Sequence, residues 1–208
     1  MKVYLARHGE TTWNVEGRYQ GRLESPLSPL GHRQAEALAH AMEPLGLGRV
    51  VSSPLGRCVE TAGPAAARAG VPVERDERLI EIAHGTWEGR LRDELAADDP
   101  DRYYAWRHDP AHVAFDGGES LVQVRERWRA FAQACRPATP SLVVTHDAVV
   151  RVALTDAKSQ PLEMFWSSRV ENGAYASFDV DERGWHLVDE CVTAHLEGLR
   201  ADTARQAL

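Results

Sequence analysis

The chain reads as an α/β fold: a three-layer sandwich with a mostly parallel central sheet, helices on both faces and a small helical cap. Three observations predict it. Short apolar runs at Val3–Ala6, Arg49–Ser52 and Ser141–Thr145 alternate with segments of helical periodicity, the pattern of layered α/β domains. A hairpin signal occurs only late, where Asp181–Gly184 separates Ala174–Val180 from Trp185–Val188, so antiparallel pairing belongs to one sheet edge. The segment Trp87–Phe115 concentrates aromatics (Trp87, Tyr103, Tyr104, Trp106, Phe115) and reads as helices covering the sheet ends.

Val3–Ala6 is the first strand, opening onto a loop that carries Arg7-His8-Gly9-Glu10-Thr11, Asn14 and Tyr19-Gln20-Gly21. Ser28-Pro29 supplies an N-cap and an N1 proline, and Leu30, Ala37, Leu38, Ala41, Met42 and Leu45 follow at helical spacing until Gly46. Arg49–Ser52 is the second strand, and Ser53-Pro54 is expected to cap the next helix, with Pro64 kinking or restarting it before Gly70. Val71–Glu74 is a short strand. Asp116-Gly117-Gly118 breaks the chain before an amphipathic helix over Ser120–Cys135. Ser141–Thr145 is a buried strand, Ala148–Thr155 the helix after it, and Pro161–Trp166 a further turn or two. The polar tail after about residue 191 is expected to be helical or loose. At 208 residues the sequence fits one domain over 1–208, with a cap at about 87–118.

Composition narrows the function classes. The hydrophobic fraction of 43% and charged fraction of 26% are ordinary for a globular protein. No apolar run reaches the length of a membrane span, and the N-terminus lacks a signal peptide, so a cytoplasmic location is the default. A net charge of −7 disfavours nucleic acid and anionic membranes as partners. Of 24 basic residues only Lys2 and Lys158 are lysine, so any anion site must be built from arginine, which grips phosphate in a bidentate way. Cys58, Cys135 and Cys191 are widely spaced, which fits a reducing compartment and structural thiols. A homodimer is left open.

Arg7 and His8 place a cation and an imidazole side by side at a strand end, where α/β proteins hold ligands, and Gly9 permits close approach. The pairing suits an imidazole nucleophile with a guanidinium on the phosphoryl oxygens. The pentapeptide alone would equally suit a surface turn. Its register with later segments decides the matter: Ser52-Ser53-Pro54-Leu55-Gly56-Arg57, Glu60-Thr61-Ala62, Leu79 to Gly89, Gly117-Gly118-Glu119-Ser120, Val143-Val144-Thr145-His146 and Val149-Val150-Arg151. This ordered set resembles the histidine phosphatase superfamily, branch 1, which includes phosphoglycerate mutase-like phosphatases, from about Lys2 to Phe178.

The resemblance implies a metal-independent phosphatase without a cofactor, hydrolysing a small organic phosphomonoester through a phosphohistidine on His8. It implies that Arg7, Arg57, Asn14 and His146 bind the phosphoryl group, His146 as a second pocket histidine, and that Glu81 is the general acid. Burial among Leu79, Ile80 and Ile82 would raise the Glu81 pKa toward neutrality. No HxH or HExxH spacing suggests a metal site. The alternatives are a cofactor-dependent phosphoglycerate mutase-type phosphotransferase, disfavoured by His84 and the short cap, and a non-catalytic phospho-ligand binding or regulatory domain.

Asp147 departs from the glycine usual in this branch and resembles the His-Asp pair of the acid phosphatase branch. Three readings stay open: it points away and caps the following helix, it is an accessory acid beside Glu81, or it contacts a cationic group on the substrate. The cap shows Arg102 and Arg107 as its few obvious carboxylate-binding arginines, so a neutral or apolar leaving group is expected.

Overall fold

The computed structural model describes residues 1–203, 206 and 207. The first half contains β1 (Lys2–Arg7), α1 (Thr12–Glu16), α2 (Pro29–Met42), β2 (Arg49–Ser52), α3 (Gly56–Ala69) and β3 (Val73–Arg75). The second contains α4 (Arg92–Asp98), α5 (Pro100–His108), α6 (Leu121–Ala134), β4 (Ser141–Thr145), α7 (Asp147–Ala157), β5 (Tyr175–Asp181) and β6 (Gly184–Val192). The strands form one sheet in the order β3-β2-β4-β1-β5-β6. The β3–β2, β2–β4 and β4–β1 pairs are parallel; β1–β5 and β5–β6 are antiparallel. The sheet is therefore mostly parallel, with the late hairpin at one edge.

Strand alternation assigns the two faces. Tyr4, Ala6, Val50, Leu142 and Val144 pack with Leu38 and Met42 of α2 and Cys58 and Ala62 of α3. Val3, Leu5, Val51 and Val143 point the other way, into a larger core with Val124 and Trp128 of α6 and Val149 and Val152 of α7. Every residue of β4 is buried, as a central strand covered on both faces requires. Burying a single Val or Leu in such a layer contributes about 1.5–3 kcal/mol, so these alternating sets fix strand register firmly. Register in turn aligns the strand ends: Arg7 stands opposite Thr145, and Ser52 opposite Val144. The residues just beyond them, His8, Ser53 and His146, consequently meet at the carboxyl edge of the sheet. No helix among the described residues is long and apolar enough to cross a membrane.

Several local expectations change. Asn14 lies on the short helix α1, within a capping box made with Thr11, and not on an open loop. Ser53-Pro54 does not cap α3, whose N-cap is Leu55 without a side-chain bond; the Ser53 hydroxyl bonds the His146 ring instead. Pro64 sits inside an unbroken α3, because the carbonyl that loses its partner belongs to the exposed Glu60, where water can replace it. The third strand falls at Val73–Arg75. The tail is not simply loose: Leu196, Gln206 and Ala207 are buried.

Candidate active site

His8 follows β1 directly, and its backbone N–H donates to the Thr145 carbonyl at 2.9 Å, which ties it to β4. Its Nδ1 lies 2.7 Å from the Gly9 carbonyl oxygen. A carbonyl only accepts, so Nδ1 carries the proton and Nε2 keeps its lone pair. Burial, then the charges of Arg57 and Arg7, hold the imidazole well below its ordinary pKa, so the ring is neutral. Gly9 N–H donates to Thr61 Oγ1 at 3.0 Å, joining the loop to α3.

Arg7 and Arg57 are both buried and line the same small cavity as His8, Asn14 and Glu81. Its remaining room is about 20 Å³, the space of little more than one water. Arg57 is held rigidly: its Nη1 donates to the Leu23 carbonyl at 2.9 Å and its Nη2 to the Gly21 carbonyl at 2.7 Å. Arg7 Nη2 donates to Gln206 Oε1 at 2.8 Å, while its buried Nε has no partner among the described residues. Asn14 Oδ1 accepts from Thr11 N–H at 3.1 Å and from Asn172 Nδ2 at 3.3 Å. That fixes the amide so that its buried, unpartnered Nδ2 is the donor presented to the cavity. Two buried donors without acceptors are costly unless an anion arrives to take them.

Glu81 is 8% exposed, and its Oε1 accepts from Ile82 N–H at 2.9 Å. Burial, reinforced by the nearby Asp147 charge, raises its pKa to about 7. It can therefore hold a proton and release it near neutrality.

His146 is brought beside His8, ring centroids 5.2 Å apart, but does not line the cavity. Its Nδ1 accepts from Arg57 Nε at 3.3 Å, and its Nε2 lies 2.7 Å from Ser53 Oγ. With both nitrogens engaged, the ring supports Arg57 from beneath; the expected donation from His146 to a phosphoryl group is not directed by this arrangement. Cys58 packs there too, its Sγ 3.3 Å from His146 Nε2, and burial pushes its thiol pKa well up, which leaves it an inert filler.

Asp147 corrects one expectation outright. His146, not Asp147, is the N-cap of α7, and the aspartate does not point away. Its Oδ2 accepts from Arg151 Nε at 2.6 Å, its Oδ1 lies 3.4 Å from Arg7 Nη1, and it lines the cavity. Two guanidiniums attract the carboxylate more strongly than the N–H groups of a helix end.

Sequence reasoning did not assign His84, Trp106 and Phe165 on the cavity wall, nor Gln206 and Ala207. His84 is buried, both ring nitrogens lack partners among the described residues, and burial lowers its pKa to about 3. Its place in the Glu81–Gly85 stretch was the available signal. For Gln206 no signal existed, since nothing local says that a tail returns to β1.

A neutral imidazole flanked by two buried guanidiniums, on an α/β sheet edge beside a carboxyl that titrates near neutrality, defines a phosphoryl-transfer enzyme. The chain belongs to the histidine phosphatase superfamily (branch 1), whose family model matches residues 3–193. It is 35% identical over 199 residues to phosphoserine phosphatase 1 of Hydrogenobacter thermophilus, covering 94% of each chain. Among solved structures, Bacillus stearothermophilus YhfR is similar with a TM-score of 0.90 at 33% identity, over 94% of this chain and 98% of that one. A mycobacterial glucosyl-3-phosphoglycerate phosphatase complexed with VO3 gives a TM-score of 0.81 at 28% identity, over 91% and 97% of the two chains.

Proposed function

We propose that this chain hydrolyses a small organic phosphomonoester in two displacement steps on His8. In the first, His8 Nε2 attacks phosphorus, the ester P–O bond breaks, and protonated Glu81 gives its proton to the departing oxygen. In the second, Glu81, now a carboxylate, takes a proton from water as the water oxygen attacks phosphorus. The P–N bond breaks, inorganic phosphate leaves, and His8 returns to its neutral form. Arg7, Arg57 and the Asn14 amide hold the phosphoryl oxygens, and the Gly9 carbonyl steadies the Nδ1 proton as charge builds on the ring.

The single observation that carries this reading is the 2.7 Å contact between His8 Nδ1 and the Gly9 carbonyl oxygen: a carbonyl only accepts, so Nε2 is the free nucleophilic nitrogen in the cavity that Arg7 and Arg57 also line. The names of the relatives support small phosphomonoesters as the substrate class. Phosphate release from p-nitrophenyl phosphate tests it. His8→Ala should reduce release to the uncatalysed background while keeping the melting transition; a variant that still turns over would remove His8 as nucleophile.

A further inference from the structure

The edge of the sheet remote from His8 holds a second hollow. It is a cavity of about 290 Å³ between the end of α6, the C-terminal half of α7 and the turn joining β5 to β6. α7 starts beside the catalytic cavity at Asp147, and Ala153 and Ala157 lie toward its other end. β5 runs antiparallel to β1, so the turn before Trp185 also lies at the amino edge of the sheet.

The floor of this hollow is apolar. Ala132, Ala153 and Ala157 leave room where longer side chains would close the gap, and Trp128 and Trp185 meet edge to face, centroids 5.2 Å apart. Left unfilled, such a space forfeits the dispersion contacts its lining would make. Trp128 adds a more specific lack. Trp87, Trp166 and Trp185 each donate the indole N–H to an oxygen acceptor. Trp128 is only 3% exposed, yet its N–H meets no acceptor among the described residues. A buried indole N–H ordinarily has one.

Two arginines stand at the rim. Arg129 is committed, its Nε and Nη2 donating to the Asp156 carboxylate at 2.7 and 2.8 Å. Arg136 is not: Nη1 reaches the Asp181 carbonyl at 3.4 Å, and no carboxylate pairs with it among the described residues. The rim therefore carries a single uncompensated positive charge, which suits a monoanion, on a fork whose geometry suits a carboxylate. The volume lies at the small end of ligand pockets, the size for one or two fused rings.

We infer that this cavity binds a planar aromatic carboxylate, its ring laid on the alanines beside Trp128 and Trp185 and its carboxylate held by Arg136. The Trp128 N–H supplies a further donor. Because the hollow lies across the sheet from His8, its ligand does not compete with a phosphoryl group. The inference holds whichever way the catalytic reading falls.

Calorimetric titration of 1-naphthoate, and of 1-naphthalenemethanol as its uncharged counterpart, into the full chain tests it. Naphthoate should bind one to one, with a Kd of about 1 mM or tighter, and more tightly than the alcohol. Saturating inorganic phosphate should leave that Kd unchanged. Arg136→Gln should weaken naphthoate about tenfold and leave the alcohol unaffected, as expected for losing a charge-assisted pair. Ala157→Leu, which fills the hollow from α7, should remove binding of both while hydrolysis of p-nitrophenyl phosphate keeps its wild-type rate. Arg136 is exposed, so its variant decides the matter even where Ala157→Leu fails to fold. No binding of naphthoate, equal affinity for acid and alcohol, a Kd raised by phosphate, or binding untouched by Arg136→Gln would each overturn the proposal.

Discussion

At the scale of single residues, the site is a problem of placing protons. His8 must be neutral to attack, and Glu81 must be protonated to release the leaving group and ionised to activate water. A pKa of about 7 at Glu81 serves both tasks. Glu81→Gln should therefore slow alkyl phosphates by roughly 10²–10⁴-fold and p-nitrophenyl phosphate far less, since a good leaving group needs no proton. Comparing the two kcat values checks it; equal losses would remove Glu81 from the acid role. Asp147 adds a sign that can be read. Its negative charge raises the Glu81 pKa, so Asp147→Asn should lower that pKa. For alkyl phosphates, activity falls as Glu81 ionises, so the descending limb of kcat against pH, near 7 in the wild type, should move to lower pH. A limb that stays put would mean that the two carboxyls do not interact. Arg7, His8, Arg57 and Glu81 were singled out by the family resemblance of the motifs around them, since local pattern alone would read a first-turn arginine or a lone glutamate as solvated, and the fold brings all four to one cavity. The Asp147 orientation was not legible in sequence, because two arginines from separate segments, Arg7 and Arg151, outcompete the local helix end for its carboxylate.

At the scale of elements, strand register does most of the positioning, and alternation made it readable: β2 and β4 fall where the apolar runs predicted. What sequence could not show is how closely the loop after β1 lies against α2. A Cβ on Gly31 would stand 2.0 Å from the Glu10 carbonyl oxygen, and one on Gly9 would stand 2.6 Å from the Gly31 carbonyl oxygen. Both contacts are backbone against backbone, so neither side has a flexible end to yield. Gly31→Ala should cost about 1–3 kcal/mol in denaturant midpoints and displace the loop that carries His8, lowering kcat as well. Gly63, inside α3, has nothing within 4 Å of a Cβ. Gly63→Ala should stabilise by about 0.5–1 kcal/mol and leave kcat unchanged, which controls for generic effects of adding a methyl group. If the two variants melted alike, the close approach of α2 would not constrain the loop. The same reasoning explains the failed cap at Ser53-Pro54. A serine at a strand end beside His146 gains more from the buried ring than α3 gains from a cap.

At the scale of the molecule, the site is assembled from the first residues of the chain and some of its last. β1 is central in the sheet, and Gln206 returns to it across a sequence separation of 199 residues to bond Arg7, while its Nε2 donates to Asn172 Oδ1 at 2.8 Å. Asn172 in turn donates to the His8 carbonyl and to Asn14 Oδ1, both at 3.3 Å. Gln206 thus braces two of the groups that face the phosphoryl site without belonging to either core cluster. Removing residues 203–208 should therefore change the melting transition little, since the small Ala207 is the one described member of either core that it takes away. Catalysis should respond differently. Loss of two buried hydrogen bonds, each worth about 1 kcal/mol, frees Arg7 and the Asn172–Asn14 chain, so kcat on small esters should fall roughly tenfold. With Gln206 and Ala207 gone, the catalytic cavity opens toward the neighbouring cavity lined by Arg107, Arg151 and Trp166, and a bulky ester such as 1-naphthyl phosphate should gain in kcat/KM relative to a small alkyl phosphate. That opposite movement separates a wall from a mere stabiliser: a tail that only supported the fold would depress both substrates together, and alongside a lower melting temperature.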